Sequence, residues 1–363
     1  MASSIRKINF QYDGLALSPL ESTERLGEIL QREHYDADSY SLGGVVEVLE
    51  QKMAGILEKE RAIFMPSGTL ANHLALKALV GSSRRVIVQE KSHIYNDSGD
   101  CMQQLSGINL IPLKNQEKPE AAGYTLAQVK SVLNVSSAGK VKTDVGVISI
   151  ESPVRRLNGM VFPREDILHI VDYAKEIGVR THLDGARLFI AAAYAGMSPS
   201  EYAAPFDTVY VSLYKYFNAP FGAILAGSRD IIDGMYHQRR MFGGGLNEVW
   251  SSAAPALDAL DGFMERYSTV VKMTAELKNA LDSMPGLKVE NMRNGTNVFR
   301  LKLDDSIEAG ALKKELLIQG IQFPGPETGF NGFYLKTNES LLREPVESVV
   351  LKIKIAVDNS RSL

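Results

Sequence analysis

The chain has 363 residues, 45% of them hydrophobic and 23% charged, which is typical of globular proteins. Its net charge of −3 excludes a broad basic surface for nucleic acid, and its single cysteine, Cys101, excludes a disulfide framework and a cysteine-built zinc site. The sequence begins without the apolar stretch of a signal peptide, and no apolar run approaches the roughly 18 residues of a membrane helix. We therefore expect a cytoplasmic enzyme that binds no metal, nucleic acid or membrane.

Short strand-forming runs alternate with helical patterns from residue 62 to residue 226. The predicted strands are 62–65, 85–89, 108–113, 145–151, 180–184, 208–213 and 222–226, with helices at 70–79, 164–177 and 187–195 among them. This alternation indicates βαβ units and an α/β fold with a mostly parallel sheet. Continuously apolar runs such as VGVISI are typical of strands that are covered on both faces.

The pattern changes after the glycine run at 243–245. A long helix is predicted over 251–284, with Pro255 either in its first turns or kinking it. Shorter strands and helices follow up to residue 357, which is typical of a small α+β unit. We therefore expect an N-terminal arm (1–35), a large domain (36–250) and a small C-terminal domain (251–363) that begins with the long linking helix.

Two reactive side chains follow neighbouring predicted strands. Asp184 ends the strand 180–184, and Lys215 comes directly after the strand 208–213. Ligands of open α/β sheets bind outside the carboxyl ends of the strands, so both side chains belong at the ligand-binding edge. Pyridoxal phosphate needs a lysine for its Schiff base and a carboxylate that keeps its pyridine nitrogen protonated. For these two residues alone, an ion pair at the sheet edge is the simpler interpretation.

A third segment adds a candidate anion site. Ser67, Gly68 and Thr69 follow the strand 62–65 and open the helical run LANHLALKAL. A small-residue turn at a helix N-terminus presents free N–H groups and the positive end of the helix dipole, which suits a phosphate. An ordinary capped helix explains the segment equally well when it is taken alone. Neither GxGxxG nor GxxxxGK[ST] follows a strand, so the dinucleotide and P-loop interpretations lack support.

Four segments together resemble one enzyme family. PSGTLANHLAL, HLDGARLF, SLYKYFNAPFGA and RRMFGGG are similar, in order and spacing, to the threonine aldolase (β-eliminating lyase) family of fold-type-I pyridoxal-phosphate enzymes. The resemblance implies a pyridoxal-phosphate-binding large domain and a small C-terminal domain. It also implies a homodimer or homotetramer with active sites at the subunit interface, acting on a small amino-acid substrate.

The resemblance also implies roles for individual residues. It makes Lys215 the Schiff-base lysine, Asp184 the partner of the pyridine nitrogen, and 67–69 the phosphate-binding loop. Arg187 would bind cofactor and substrate carboxylate, and His93 would stack on the cofactor ring and relay protons.

Three other positions receive weaker implications. Tyr40 would reach the substrate of a neighbouring subunit's site, and Arg240 would bind a neighbouring subunit's phosphate, although a solvated arginine pair explains Arg240 equally well. Glu151 ends the strand 145–151 and is expected near the cofactor, whereas His182 is given no catalytic role.

The chain departs from the family at positions that face the substrate. A Thr-His pair of the family, whose histidine is a candidate base, is replaced by Pro153 and Val154. The serine of an N-terminal Ser-Asp-Thr, a C-terminal arginine and the arginine of GGGMR are replaced by Tyr12, Tyr334 and Asn247, respectively. The cofactor-binding set is therefore intact while the substrate-facing set is altered. The neighbouring Arg155 or Arg156 could supply the missing carboxylate contact.

The leading hypothesis is an aldehyde lyase that cleaves a β-hydroxy-α-amino acid, such as L-threonine or L-allo-threonine, to glycine and an aldehyde. The altered positions leave β-elimination, transamination and racemisation open with the same cofactor. A non-catalytic homologue that keeps the fold is the third alternative, and the presence of Lys215 disfavours it.

Overall fold

The computed structural model describes residues 7–118 and 120–361. In chain order its strands are β1 Ile8–Asn9, β2 Arg61–Met65, β3 Arg85–Gln89, β4 Asn109–Leu113, β5 Val147–Glu151, β6 Arg180–Asp184, β7 Thr208–Ser212, β8 Ala223–Gly227, β9 Leu287–Asn291, β10 Val298–Leu303, β11 Ile321–Gln322 and β12 Gly332–Lys336. The α-helices are α1 Pro19–Arg32, α2 Gly44–Leu57, α3 Gly68–Val80, α4 His93–Asn96, α5 Cys101–Ser106, α6 Leu126–Ala138, α7 Arg164–Glu176, α8 Leu188–Ala195, α9 Pro199–Ala203, α10 Arg229–Ile232, α11 Met235–Met241, α12 Trp250–Leu260, α13 Phe263–Asp282, α14 Ala309–Ile318 and α15 Val346–Asn359. Single 3₁₀ turns cover Arg155–Leu157 and Glu339–Arg343.

Residues 20–261 form a large unit built on a seven-stranded sheet of order β2-β8-β7-β6-β5-β3-β4. The strands from β4 to β7 pair in parallel, and β8 runs antiparallel to both of its neighbours, β7 and β2. The predicted mostly parallel α/β sheet is confirmed. Because β2 has the same direction as the parallel strands, the segments that follow β2, β3, β5, β6 and β7 leave the sheet at one common edge.

Burial on both faces explains the apolar strands of this sheet. Every residue of β5, β7 and β8 is buried. Helix α3 packs Leu74 and Ala75 in one cluster with Tyr210 of β7 and Leu225 of β8. This packing fixes α3 over the centre of the sheet, so its first turn lies at the edge where the parallel strands end.

A second, smaller unit combines residues 7–19 with residues 262–361. Its three-stranded antiparallel sheet has the order β12-β10-β9, and β1 pairs in parallel with β11. Helices α13, α14 and α15 supply apolar side chains to the same core as this sheet. The predicted small α+β unit therefore forms, with an N-terminal contribution.

The division of the chain differs from the predicted one at both ends of the large unit. Residues 7–19 belong to the small unit because β1 pairs with β11 and the fully buried Phe10 packs against Phe323. Helix α12 belongs to the large unit, where it contacts α2. The single helix expected over 251–284 is interrupted between α12 and α13, because Gly262 takes a left-handed conformation (φ 63°) there. Pro255 lies inside α12.

No helix in the described parts of the chain is long and apolar enough to cross a membrane. The same residues contain no group of three or more histidine, cysteine, aspartate or glutamate side chains that could hold a metal ion.

The contact between Phe10 and Phe323 predicts how strongly the N-terminal segment stabilises the small unit. Replacing Phe10 with alanine removes a fully buried ring whose centroid lies 5.4 Å from that of Phe323. We expect F10A to lower the free energy of unfolding by about 3–5 kcal/mol in urea denaturation. The control Y12A removes a side chain that is 50% exposed and should change this energy by about 0.5 kcal/mol or less. Equal effects of F10A and Y12A would contradict the assignment of this segment to the small unit.

Candidate active site

A cavity of about 310 Å³ opens at the edge of the large unit's sheet where the parallel strands end. Its volume lies at the lower end of the range for small-molecule sites, roughly 300–1,000 Å³. Its wall is built from the segments after β2, β3, β5, β6 and β7 and from the segment before β8. It includes Gly68, His93, Glu151, Asp184, Arg187 and Lys215. These residues were predicted to lie near one another, and the fold brings them together.

Asp184 forms a buried carboxylate in this wall. It ends β6, is 1% exposed, and its Oδ2 accepts a hydrogen bond of 2.8 Å from Nδ2 of Asn72 in α3. Its Oδ1 accepts a longer hydrogen bond, 3.4 Å, from the backbone N–H of Ala186. An amide donor supplies a hydrogen bond to a carboxylate but no positive charge.

His182 lies behind Asp184 and was predicted without a catalytic role. It precedes Asp184 by two residues on the same strand, so both side chains point to the same face of the sheet. Its Nε2 lies 2.9 Å from Oδ1 of Asn72, and its Nδ1 lies 2.8 Å from Oγ1 of Thr208 in β7. Burial lowers the pKa of His182 to about 4, so the imidazole is neutral at pH 7.

The first turn of α3 opens onto the cavity. Ser67 is the N-cap, and its hydroxyl accepts a 3.2 Å hydrogen bond from the N–H of Leu70. Gly68 is required by close packing, because a Cβ at this position would lie 2.0 Å from the hydroxyl oxygen of Tyr210. Ser67, Gly68 and Thr69 all line the cavity, so the positive end of the helix dipole faces it.

Glu151 joins two loops at the side of the cavity. Its Oε2 accepts the backbone N–H of His93 at 2.5 Å, and its Oε1 accepts the backbone N–H of Arg155 at 2.8 Å. Burial raises the pKa of Glu151 to about 7, and the nearby charge of Asp184 acts in the same direction. The carboxyl group therefore holds the loop after β3 against the loop after β5, next to the ligand space.

The imidazole of His93 is available for a bound molecule. Its Nδ1 is buried, and no hydrogen-bond partner for it exists among residues 7–118 and 120–361. Burial lowers the pKa of His93, although the charge of Asp184 opposes this effect. A buried nitrogen without a partner costs free energy, and a ligand that supplied the missing hydrogen bond would recover it.

Two cationic side chains complete the cavity wall. Lys215 follows β7 and is half-buried, with its Nζ 5.6 Å from the ring centroid of Tyr214. Arg187 directly precedes α8 and is 8% exposed. An amine and a guanidinium close to a buried carboxylate suit a ligand that carries an electrophilic carbon and negative charge.

Arg240, Tyr40 and Val154 are among the residues singled out in the sequence that do not line the cavity. The guanidinium of Arg240 lies 4.5 Å from the ring centroid of Tyr40, so these two exposed side chains contact each other instead. Because both were expected to serve a neighbouring subunit, their roles stay predictions. Val154 is fully buried and outside the cavity wall, whereas Arg155 lines it and forms an ion pair of 2.6 Å with Asp97.

Asn72 and Thr208 were not predicted from the sequence. Asn72 comes one helical turn after Gly68 and therefore shares its face of α3, which is a signal that helical spacing could have given. Thr208 pairs directly with His182 across β6 and β7, and this register cannot be read from the sequence.

Comparison with known proteins assigns the chain to a family. The model of the beta-eliminating lyase family matches residues 23–304. A low-specificity L-threonine aldolase from Arabidopsis thaliana is 26% identical over 304 residues, which cover 82% of this chain and 84% of that protein. An alanine racemase from Cochliobolus carbonum is 32% identical over 212 residues, 58% of this chain and 53% of that protein.

The fold is matched over nearly the whole chain by a crystal structure from Listeria monocytogenes. That protein, assigned as an L-allo-threonine aldolase, superposes with a TM-score of 0.80 at 26% identity and covers 98% of each chain. The predicted fold-type-I architecture is thereby confirmed. With a family match that spans most of its length, the chain belongs to the beta-eliminating lyase family.

Proposed function

We propose that the chain is a pyridoxal-phosphate-dependent aldehyde lyase that cleaves a β-hydroxy-α-amino acid, such as L-threonine or L-allo-threonine, to glycine and an aldehyde. The observation that carries the proposal is the presence of Lys215, Asp184 and Arg187 in one cavity wall with the first turn of α3. The names of the relatives from Arabidopsis and Listeria support the choice of substrate.

The cavity has the chemistry to hold this cofactor. Pyridoxal phosphate presents an aldehyde, a basic ring nitrogen and a phosphate, which correspond to the amine of Lys215, the carboxylate of Asp184 and the N-terminus of α3. His93, whose buried Nδ1 has no hydrogen-bond partner among the described residues, lines the same space. When bound, the cofactor supplies an electron sink for the negative charge that develops on the substrate Cα.

The cofactor-binding residues divide this work among them. Lys215 would hold the cofactor through its amine, which is the group suited to an aldehyde. Asp184 keeps a proton on the ring nitrogen, because a neighbouring anion favours the cationic form. The hydroxyls of Ser67 and Thr69, with the N–H groups of the first turn of α3, bind the phosphate.

Arg187 and His93 act on the substrate. Arg187 holds the substrate carboxylate, and its burial strengthens a charge-assisted hydrogen bond of this kind. The imidazole of His93 would take the proton from the β-hydroxyl as the bond between Cα and Cβ breaks and the aldehyde leaves, and a proton returned to Cα would give glycine. This transfer contributes roughly 10²–10⁴-fold to the rate. Val154 offers no alternative base, because it is aliphatic and fully buried.

Racemisation of an amino acid is the second candidate function. The relative from Cochliobolus carbonum, which is named an alanine racemase, is the observation that favours it. The aliphatic Val154 at the position of a candidate aldol base is compatible with it. The two functions use the same cofactor site and differ in whether a C–C bond or a C–H bond of Cα is broken.

We further expect a cytoplasmic homodimer or homotetramer, in which Tyr40 and Arg240 serve a neighbouring subunit. Their contact with each other, with Arg240 against the ring of Tyr40, keeps both side chains at one exposed surface of the large unit.

Product analysis distinguishes the two functions. We expect the protein loaded with pyridoxal phosphate to release acetaldehyde from L-threonine or L-allo-threonine and not to form D-alanine from L-alanine. K215A should lose this activity, because no other side chain replaces its bond to the cofactor. The matched control K91A changes an exposed lysine outside the cavity wall and should keep the activity. D-alanine without acetaldehyde would favour the racemase, and neither product would contradict both.

The pH dependence of kcat tests the role of His93. A general base must be neutral, and burial lowers the pKa of His93 below its usual 6.5. We therefore expect kcat to stay constant at neutral pH and to fall only below pH 6.5, as the imidazole becomes protonated.

The fall in kcat below pH 6.5 is the acid limb of the pH profile. The variant H93Q should lose this acid limb and lower kcat by roughly 10²–10⁴-fold. The control H169Q, which changes an exposed histidine of α7, should keep both the limb and the rate. A limb at about pH 7 that persists in H93Q would contradict the assignment and identify Glu151, whose pKa is raised to about 7, as the titrating group.

A further inference from the structure

The buried groups behind Asp184 form one continuous hydrogen-bonded chain. It runs from Oγ1 of Thr208 through His182 to Asn72, and from Asn72 to Oδ2 of Asp184, with successive distances of 2.8, 2.9 and 2.8 Å. Thr208, His182 and Asn72 are each 0% exposed. Neither Thr208 nor Asn72 has a place in the chemistry proposed above.

We propose that Asn72, His182 and Thr208 are positioning residues that hold Asp184 in a single orientation, aimed at the cofactor ring nitrogen. The part that concerns the ring nitrogen rests on the proposed function. The hydrogen bonds that link Thr208, His182, Asn72 and Asp184 exist without the cofactor. They can therefore be tested separately from the proposed function.

Only one assignment of hydrogen atoms satisfies all the groups of this chain. An ionised carboxylate can only accept, so Asn72 must turn its NH₂ group to Asp184 and its carbonyl oxygen to His182. That oxygen can only accept, so Nε2 of His182 carries the hydrogen. In a neutral imidazole Nδ1 is then an acceptor, and the hydroxyl of Thr208 must donate to it. Every donor points towards Asp184, and the chain delivers a hydrogen bond without a net charge.

The neutrality of His182 matters for the carboxylate. A protonated imidazole this close would compete with the cofactor nitrogen as the cation that Asp184 stabilises. Burial lowers the pKa of His182 to about 4 even though the charge of Asp184 and the backbone of Thr208 oppose the shift. The hydrogen-bonded chain therefore places no positive charge next to Asp184, and a cation bound in the cavity can pair with this carboxylate.

The hydrogen-bonded chain also connects the proposed phosphate site with Asp184, the two ends of the proposed cofactor site. Asn72 lies one turn after Gly68 and Thr69 in α3, so the helix that binds the phosphate also holds the carboxylate. Thr208 and His182 are directly paired residues of β7 and β6, which fixes the other end of the chain to the sheet. The spacing between the phosphate site and Asp184 is therefore set by α3 and the sheet together.

Substitutions that keep side-chain shape separate positioning from packing. N72L removes the amide next to Asp184 and should weaken the affinity for pyridoxal phosphate about tenfold or more in an absorbance titration, because hydrogen bonds to charged groups are the stronger ones. T208V removes the hydroxyl and keeps the branched shape, and should weaken the affinity about two- to tenfold. T208S keeps the hydroxyl and should bind like the native protein. In active preparations, N72L should lower kcat more than it changes KM.

A matched control measures the effect of losing a buried hydroxyl elsewhere. Thr181 is the neighbour of His182 on β6, is 1% exposed, and its hydroxyl donates to Asp207 at 3.0 Å, outside the chain. T181V should therefore lower stability without changing the affinity for pyridoxal phosphate. Equal affinities of T208V and T208S, or equal losses in T208V and T181V, would overturn the proposal.

Nitrogen NMR of His182 in the cofactor-free protein tests the hydrogen-bonded chain without a measurement of enzyme activity. We expect a neutral imidazole with its hydrogen on Nε2 between about pH 6 and about pH 8, with the Nδ1 signal shifted in T208V and retained in T208S. A hydrogen on Nδ1, or a charged imidazole in this range, would overturn the proposal. If the native protein bound no pyridoxal phosphate, the proposed function would fail. The NMR result would still show whether the hydrogen bonds around His182 are arranged as proposed.

Discussion

The site depends on one buried carboxylate. Asp184 is 1% exposed at the end of a central strand, and an ionised carboxylate removed from water is costly unless partners compensate it. Asn72 provides a hydrogen bond but no charge, and the cationic Arg187 and Lys215 line the same cavity wall. A ligand with a protonated ring nitrogen adds the positive charge that such a carboxylate favours. The rest of the large unit can be understood as the frame that keeps this carboxylate in place.

That frame follows from the direction of the strands. The parallel strands bring the segments after β3, β5, β6 and β7 to one edge of the sheet, and the antiparallel β8 begins at that same edge. Glu151 then joins the loop of His93 to the loop of Arg155 through two backbone hydrogen bonds. Ligand groups therefore come from several loops, while the strands and α3 fix the distances between them.

The sequence was sufficient to predict those features that depend on local pattern. The strands ending at Gln89, Glu151 and Asp184 end where the apolar runs predicted, because burial on both faces makes such runs continuous. The reactive residues could be found because they follow strands directly. The family resemblance, confirmed by the family model and the Listeria structure, then connected them to one cofactor.

The features that escaped prediction depend on tertiary contacts. The pairing of β1 with β11 joins residues separated by almost the whole chain, and no local pattern indicates it. The break before α13 requires the left-handed conformation of Gly262, which a helical pattern can hide. Asn72 and Thr208 look like ordinary polar residues of a helix and a strand until the register of β6 and β7 places them in one chain with His182.

Chemical trapping of the cofactor tests the central claim most directly. Borohydride reduction of the protein incubated with pyridoxal phosphate converts the bond between cofactor and lysine into a stable one, which peptide mass mapping can locate. We expect a single modified peptide that contains Lys215, and no modified peptide in K215A. Modification at a different lysine, or none in the native protein, would contradict it.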